Sequence, residues 1–250
     1  MSRPVGRIRP TACAVAGALL FAGCSAGSDA DTVRLFAASS LTEVSQNLVE
    51  AFGATPAGQD VSFEVVVAGS SSLVTQVVEG APADVIATAN LDSMHNLESQ
   101  LDEPIDIEVF ATNSIVIAVP SGNPLGIATL ADLARPDVLV STCAPQVPCG
   151  ALTRRVVTAA GAELEATGFE PHVRAVRTRI ELGEVDAGLI YVTDITTQLE
   201  AIAIPTGDDL VNRYPIAALG DDPAATAFVA FVLSDQGQAI LSAADFGDAP

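Results

Sequence analysis

Serines cluster at two places where an apolar, strand-like run passes into a helical pattern. The first reads Val33-Arg-Leu-Phe-Ala-Ala-Ser-Ser40-Leu-Thr-Glu43 and the second Phe63-Glu-Val-Val-Val-Ala-Gly69-Ser70-Ser71-Ser72-Leu73. Small residues let a solute approach the backbone, and a helix start offers N–H donors that have no intrahelical partner. Two such ends in one domain suggest a small-anion site built without a charged side chain. Plainer roles compete. Ser40-Leu-Thr-Glu43 reads as a capping box, and Ser70, Ser71 and Ser72 read as ordinary helix caps. A hydrolase nucleophile fits less well, because the second turn lacks the last glycine of G-x-S-x-G. Neither His95 nor His172 lies in a recognisable triad context.

Of the four cysteines, Cys143 and Cys149 flank the turn-rich Ala-Pro-Gln-Val-Pro loop. In an exported chain they are expected to form a disulfide, with two free thiols as the alternative. Neither histidine has metal-ligand spacing, so no direct cation site and no cofactor is expected. All 31 acids lie after residue 23, against eight of the eleven arginines, and lysine is absent. That balance argues against nucleic acid and against binding acidic lipid by charge. It also repels anions at long range, so an anion site must win through local hydrogen bonds.

Strand and helix patterns alternate, predicting an α/β fold with mainly parallel sheets. Leu41, Val44, Leu48 and Phe52 mark one helix face, and Leu73, Val74, Val77 and Val78 another. Strands are expected near 32–37, 61–67, 85–88, 107–111, 114–119, 138–142, 187–191 and 214–219. Helices are expected at 91–101, 129–134, 151–160 and 173–182, with one long closing helix over 223–243. Two successive α/β units and a late return imply two lobes, one of 31–112 plus 211–250 and an inserted one of 113–210. In open α/β sheets, ligands sit beyond the carboxyl ends of strands, where both serine turns fall.

The start of the chain reads as a secretory signal. Arg3, Arg7 and Arg9 precede an apolar run that is too short for a comfortable membrane span. Leu20-Phe-Ala-Gly-Cys24 resembles a bacterial lipobox, with Phe21 a mild departure. That resemblance implies cleavage after residue 23, lipidation of Cys24 and a small, polar tether over 24–31. An ordinary signal peptide with a chance cysteine is the alternative.

Five stretches together resemble the periplasmic molybdate-binding proteins of ABC transporters, a type II substrate-binding family. They are Phe36-Ala-Ala-Ser-Ser-Leu-Thr; Ala68-Gly-Ser-Ser-Ser-Leu with Gly80-Ala-Pro-Ala-Asp84; Phe110-Ala-Thr-Asn-Ser-Ile-Val-Ile-Ala-Val-Pro with Asn123-Pro124; Val147-Pro-Cys-Gly150; and Gly183-Glu-Val-Asp-Ala-Gly-Leu-Ile-Tyr191. They span almost the whole chain after the signal. The resemblance implies a two-lobed periplasmic-binding-protein fold with its ligand cleft between the lobes. It implies capture of molybdate, and tungstate with it, by a non-enzymatic monomer that delivers the anion to an ABC permease. Membrane contact would be through the lipid anchor only, on the extracytoplasmic side.

Family ligand positions fall on Ser40 and Ser70 through their hydroxyls, on Cys149 and Val173 through backbone N–H groups, and on Tyr191 through its phenol. Cys149 stands where the family often has alanine, which a backbone role tolerates. His172, next to Val173, would tune anion binding with pH if it protonated; a surface histidine without a role is the alternative. A fully deprotonated tetrahedral dianion has only acceptor oxygens, so its site wants only donors. Rival readings are the same fold binding another oxyanion such as sulfate, an exported serine hydrolase, and a cell-surface interaction module.

Overall fold

The computed structural model describes residues 31–205, 207 and 209–249. The expected signal segment and Cys24 lie outside them, and of the expected tether only Asp31 is described, as the first residue of a strand. Among the described residues ten strands form two sheets. β1 (Asp31–Ala38), β2 (Val61–Ala68), β3 (Val85–Ala87) and β4 (Glu108–Asn113) belong to the first. The chain then crosses into the second as β5 (Ile115–Pro120), β6 (Val140–Cys143), β7 (Gly168–Glu170), β8 (Ala187–Tyr191) and β9 (Leu199–Ile202). It returns to the first as β10 (Asn212–Ala218).

The strand orders are β2-β1-β3-β10-β4 and β7-β6-β8-β5-β9. Each sheet therefore repeats one plan, and the architecture is a two-lobed α/β fold. The expectation of mainly parallel sheets needs correction. In both sheets the strand that arrives from the other lobe, β10 or β5, runs antiparallel to both of its neighbours. Alternating βα units keep the remaining pairings parallel.

Among the described residues seven α-helices cover the sheets: α1 (Thr42–Gly53), α2 (Ser70–Val78), α3 (Leu91–Glu98), α4 (Pro148–Ala159), α5 (Val173–Glu181), α6 (Pro223–Leu233) and α7 (Asp235–Ala243). The α1 face is as its periodicity predicts, with Val44, Leu48 and Phe52 buried. Phe52 meets Phe228 edge-on at 5.5 Å, and its burial contributes about 1.5–3 kcal/mol. On α2, Leu73 and Val74 are buried, but Val78 is exposed.

The single closing helix expected over 223–243 is two helices bent by 62°. Ser234 breaks it, adopting an extended backbone and accepting from the Gly237 N–H to cap α7. Gly237 packs so tightly there that a Cβ would lie 2.4 Å from the Phe231 carbonyl oxygen. Among the described residues no single helix is long and apolar enough to cross a membrane.

Candidate functional site

The helices that follow β1, β2, β6 and β7 all begin beside one gap between the lobes. Ser40, Ser70, Cys149, Val173 and Tyr191 line a single cavity there, together with Ser39, Pro148 and His172. Its volume is about 10 Å³. A single water needs roughly that much room, so the space is small. No aspartate, glutamate or arginine lines it.

The first lobe brings hydroxyls. Ser40 sits in a 3-10 turn (Ser39–Leu41) between β1 and α1, and it is buried. The capping box expected over Ser40–Glu43 is not formed. The cap positions are Ala38 for the turn and Leu41 for α1, and neither makes a side-chain cap. Instead the Ser40 hydroxyl is hydrogen-bonded to the Tyr214 phenol at 2.9 Å, and Glu43 turns away to Arg174. A capping box does form elsewhere, between Thr129 and Asp132. Ser70 is the first residue of α2, not its cap; the cap is Gly69. Its Oγ accepts from the Ala89 N–H at 3.0 Å, which fixes the oxygen and leaves the hydroxyl proton free to donate.

The second lobe brings backbone donors. The cap of α4 is Val147, and the first carbonyl-accepting bond runs from Ala151 N–H to Val147 at 2.9 Å. The N–H groups of Cys149 and Gly150 therefore have no intrahelical acceptor. A disulfide joins Cys149 to Cys143 at the end of β6. Gly150 makes that close approach feasible, since a Cβ would lie 2.0 Å from the Ala144 carbonyl oxygen. In α5 the cap is His172, whose Nδ1 accepts from the Ala175 N–H at 3.2 Å. Val173 and its N–H stand at the first helical position. Gly188 in β8 lets α5 pack down on the sheet, because a Cβ there would come within 2.7 Å of Val176.

Tyr191 ends β8, with 1% of its surface exposed. Asn212 donates to its phenol oxygen at 2.6 Å and to the Pro148 carbonyl at 3.2 Å. Burial pushes the phenols of Tyr191 and Tyr214 up, so both keep their protons at neutral pH. Asn113 donates to Tyr214 at 3.4 Å and to Thr193 at 2.8 Å. Sequence reasoning missed this second layer of Tyr214, Asn113 and Asn212. The one signal available was Asn212 and Tyr214 at strand spacing, two polar-tipped residues on one face of an otherwise apolar run.

His172 is held below its ordinary range, first by burial and then by the Arg174 charge, with Glu170 opposing. An Nδ1 that accepts from a backbone N–H is unprotonated, so the cap depends on neutral imidazole. The serine hydroxyls are hydrogen-bonded to Tyr214 and to the Ala89 N–H rather than to a histidine. Among the described residues no cluster of three or more His, Cys, Asp or Glu could hold a cation.

Two like-built lobes with a donor-lined gap between them define a solute-binding protein of the two-lobed periplasmic type. The chain belongs to the family of bacterial extracellular solute-binding proteins, which it matches over residues 33–247. It is accordingly a substrate-binding transport protein that works outside the cytoplasm. The molybdate-binding protein ModA of Mycobacterium tuberculosis is 39% identical over 226 residues, covering 87% of this chain and 85% of that protein. Two solved structures share the fold. The sulfate-binding protein SubI of M. tuberculosis aligns with a TM-score of 0.74 at 18% identity, over 86% of each chain. The periplasmic molybdate-binding protein of Azotobacter vinelandii aligns at 0.70 and 16% identity, over 86% of this chain and 98% of that one.

Proposed function

We propose that this protein captures molybdate, and tungstate with it, between its lobes and delivers the anion to an ABC permease. One observation carries the reading: five candidate donors from two lobes line one small cavity with no carboxylate in its lining. The hydroxyls of Ser40 and Ser70, the N–H groups of Cys149 and Val173 and the Tyr191 phenol are the proposed ligands. A fully deprotonated dianion accepts from all five, whereas a monohydrogen phosphate would want an acceptor for its own proton. Neutral donors that converge in a closed site stabilise the charge without a buried counter-ion. The 39% identity to a molybdate-binding relative favours molybdate over sulfate.

In this reading the lobes are residues 31–112 with 211–250, and residues 113–210. They close about the two crossings, between β4 and β5 and between β9 and β10, and closure presents the loaded form to the permease. The protein acts as a monomer without a cofactor, held to the membrane by a lipid on Cys24. Thermal melts with molybdate, tungstate, sulfate and phosphate test the reading, because a ligand of the native state raises the melting temperature by mass action. A rise with molybdate that sulfate does not match supports it; no rise with molybdate or tungstate overturns it.

A further inference from the structure

Beside the site cavity lies a wider depression of about 830 Å³ that shares Ser39 and His172 with it and is lined by Arg174 and Arg179. These arginines face different partners. Arg179 is held within its own lobe by Glu170 at 2.8 Å and Glu184 at 3.1 Å. Arg177, one turn along α5, is shared among Glu181, the buried Asp194 and Glu43 at 3.8–3.9 Å. Arg174 reaches across the gap. Its Nη1 donates to both carboxylate oxygens of Glu43 on α1, at 2.6 and 2.7 Å. Of the three cations on this helix, it is the one whose hydrogen-bonded partner leaves when the lobes part.

On the binding reading above, we infer that Arg174 serves the anion twice. In the open form its unpaired guanidinium, one residue beyond the Val173 N–H, is the local positive charge that an anion meets on a chain with 31 acids. Attraction of this kind raises association rates and weakens with salt. In the closed form Glu43 takes the guanidinium, and the pair becomes a latch across the mouth. Because Arg174 meets the anion only while Glu43 is away, removing Arg174 slows capture and removing Glu43 does not, while loss of either speeds release. A pair that only stabilised the fold would not split these rates.

The experiment uses the full chain with a dye pair, one dye on each lobe, to read closure with and without molybdate. Arg174→Gln is expected to slow molybdate association about threefold at low ionic strength and to flatten its salt dependence. Glu43→Gln is expected to leave association as fast or faster. Both are expected to speed dissociation roughly two- to five-fold, the scale of a partly exposed ion pair. Both should also lower the closed-lobe fraction measured without molybdate. Association slowed equally by the two variants, or dissociation unchanged in both, overturns the inference. Failure of the unaltered protein to bind molybdate overturns the functional reading instead. The ligand-free closed fraction then still judges the latch: a fall in both variants supports it, and no change in either overturns it.

Discussion

The two lobes share a strand plan but offer an anion different groups. In the proposed site the first contributes side-chain hydroxyls, Ser40 and Ser70, each with its oxygen fixed by a neighbour, the Tyr214 phenol or the Ala89 N–H. The second contributes mostly backbone, aimed by where α4 and α5 begin. Their cores differ in parallel. The first is rich in phenylalanine, including Phe52, Phe110 and Phe228. The second is aliphatic apart from Tyr191 and the Cys143–Cys149 disulfide. Side-chain donors depend on residue identity, whereas backbone donors depend on placement. The second lobe can therefore carry Cys149 at a proposed ligand position and need only keep its helix starts in register.

The sharpest way to break this contrast is at Val173. His172 before it is extended, with φ −161° and ψ 162°, which suits a residue preceding proline. Proline is also well tolerated at the first helical position. Val173→Pro should therefore delete one donor and keep the helix. Molybdate affinity, read by titration calorimetry, is expected to fall about 10–100-fold, the scale of a hydrogen bond to a charged group, with the melting temperature nearly unchanged. Val173→Ala should do the reverse, costing about 2 kcal/mol of stability and leaving affinity intact. Normal binding by the proline variant would remove the backbone donor from the site.

Ser70→Ala tests the first lobe. It should weaken binding about tenfold and also destabilise the protein by about 1–3 kcal/mol, because the buried Ala89 N–H loses its acceptor. A side-chain donor thus shows a joint loss where the backbone donor shows a split one, and denaturant melts beside calorimetry separate the two. Tyr191→Phe should cost about three- to ten-fold in affinity, with the fold retained. Unchanged affinity would leave the phenol a structural group only.

The smallest expected effect is that of pH on His172. Its folded pKa is depressed by burial, so neutral imidazole is favoured in the native state. Its contribution is present above the unfolded value and is lost as pH falls through the folded one. Stability should therefore decline on the acid side of about 6.5. His172→Asn, which keeps a cap but cannot titrate, should flatten that decline. An identical pH profile in the variant would leave His172 without a part in it.

Much of this arrangement is legible in local pattern. The α1 face and the strand Ala187–Tyr191 follow from apolar spacing, and the five residues that the resemblance named line one cavity in the structure. What was not legible depends on distant partners. Ser40 meets Tyr214 across 174 residues, and no local rule distinguishes that bond from a cap. Glu43 fits a capping box by spacing, yet a guanidinium from the other lobe attracts it more strongly than an exposed N–H. The edge strands β7 and β9 are too short and too exposed to show alternation. The start of α4 at Pro148, ahead of the expected 151, was visible in principle, since proline favours the first helical turn.

The chain has no tryptophan and two tyrosines. Both tyrosines belong to the site network, with ring centroids 6.0 Å apart. Near-ultraviolet emission from the native protein therefore originates almost wholly at the lobe gap. An anion that accepts from Tyr191 perturbs one of only two emitters, and the other is a close neighbour able to exchange excitation with it. On the proposed binding reading, occupancy would be encoded in an intrinsic optical signal, against a background nearly free of other aromatic light.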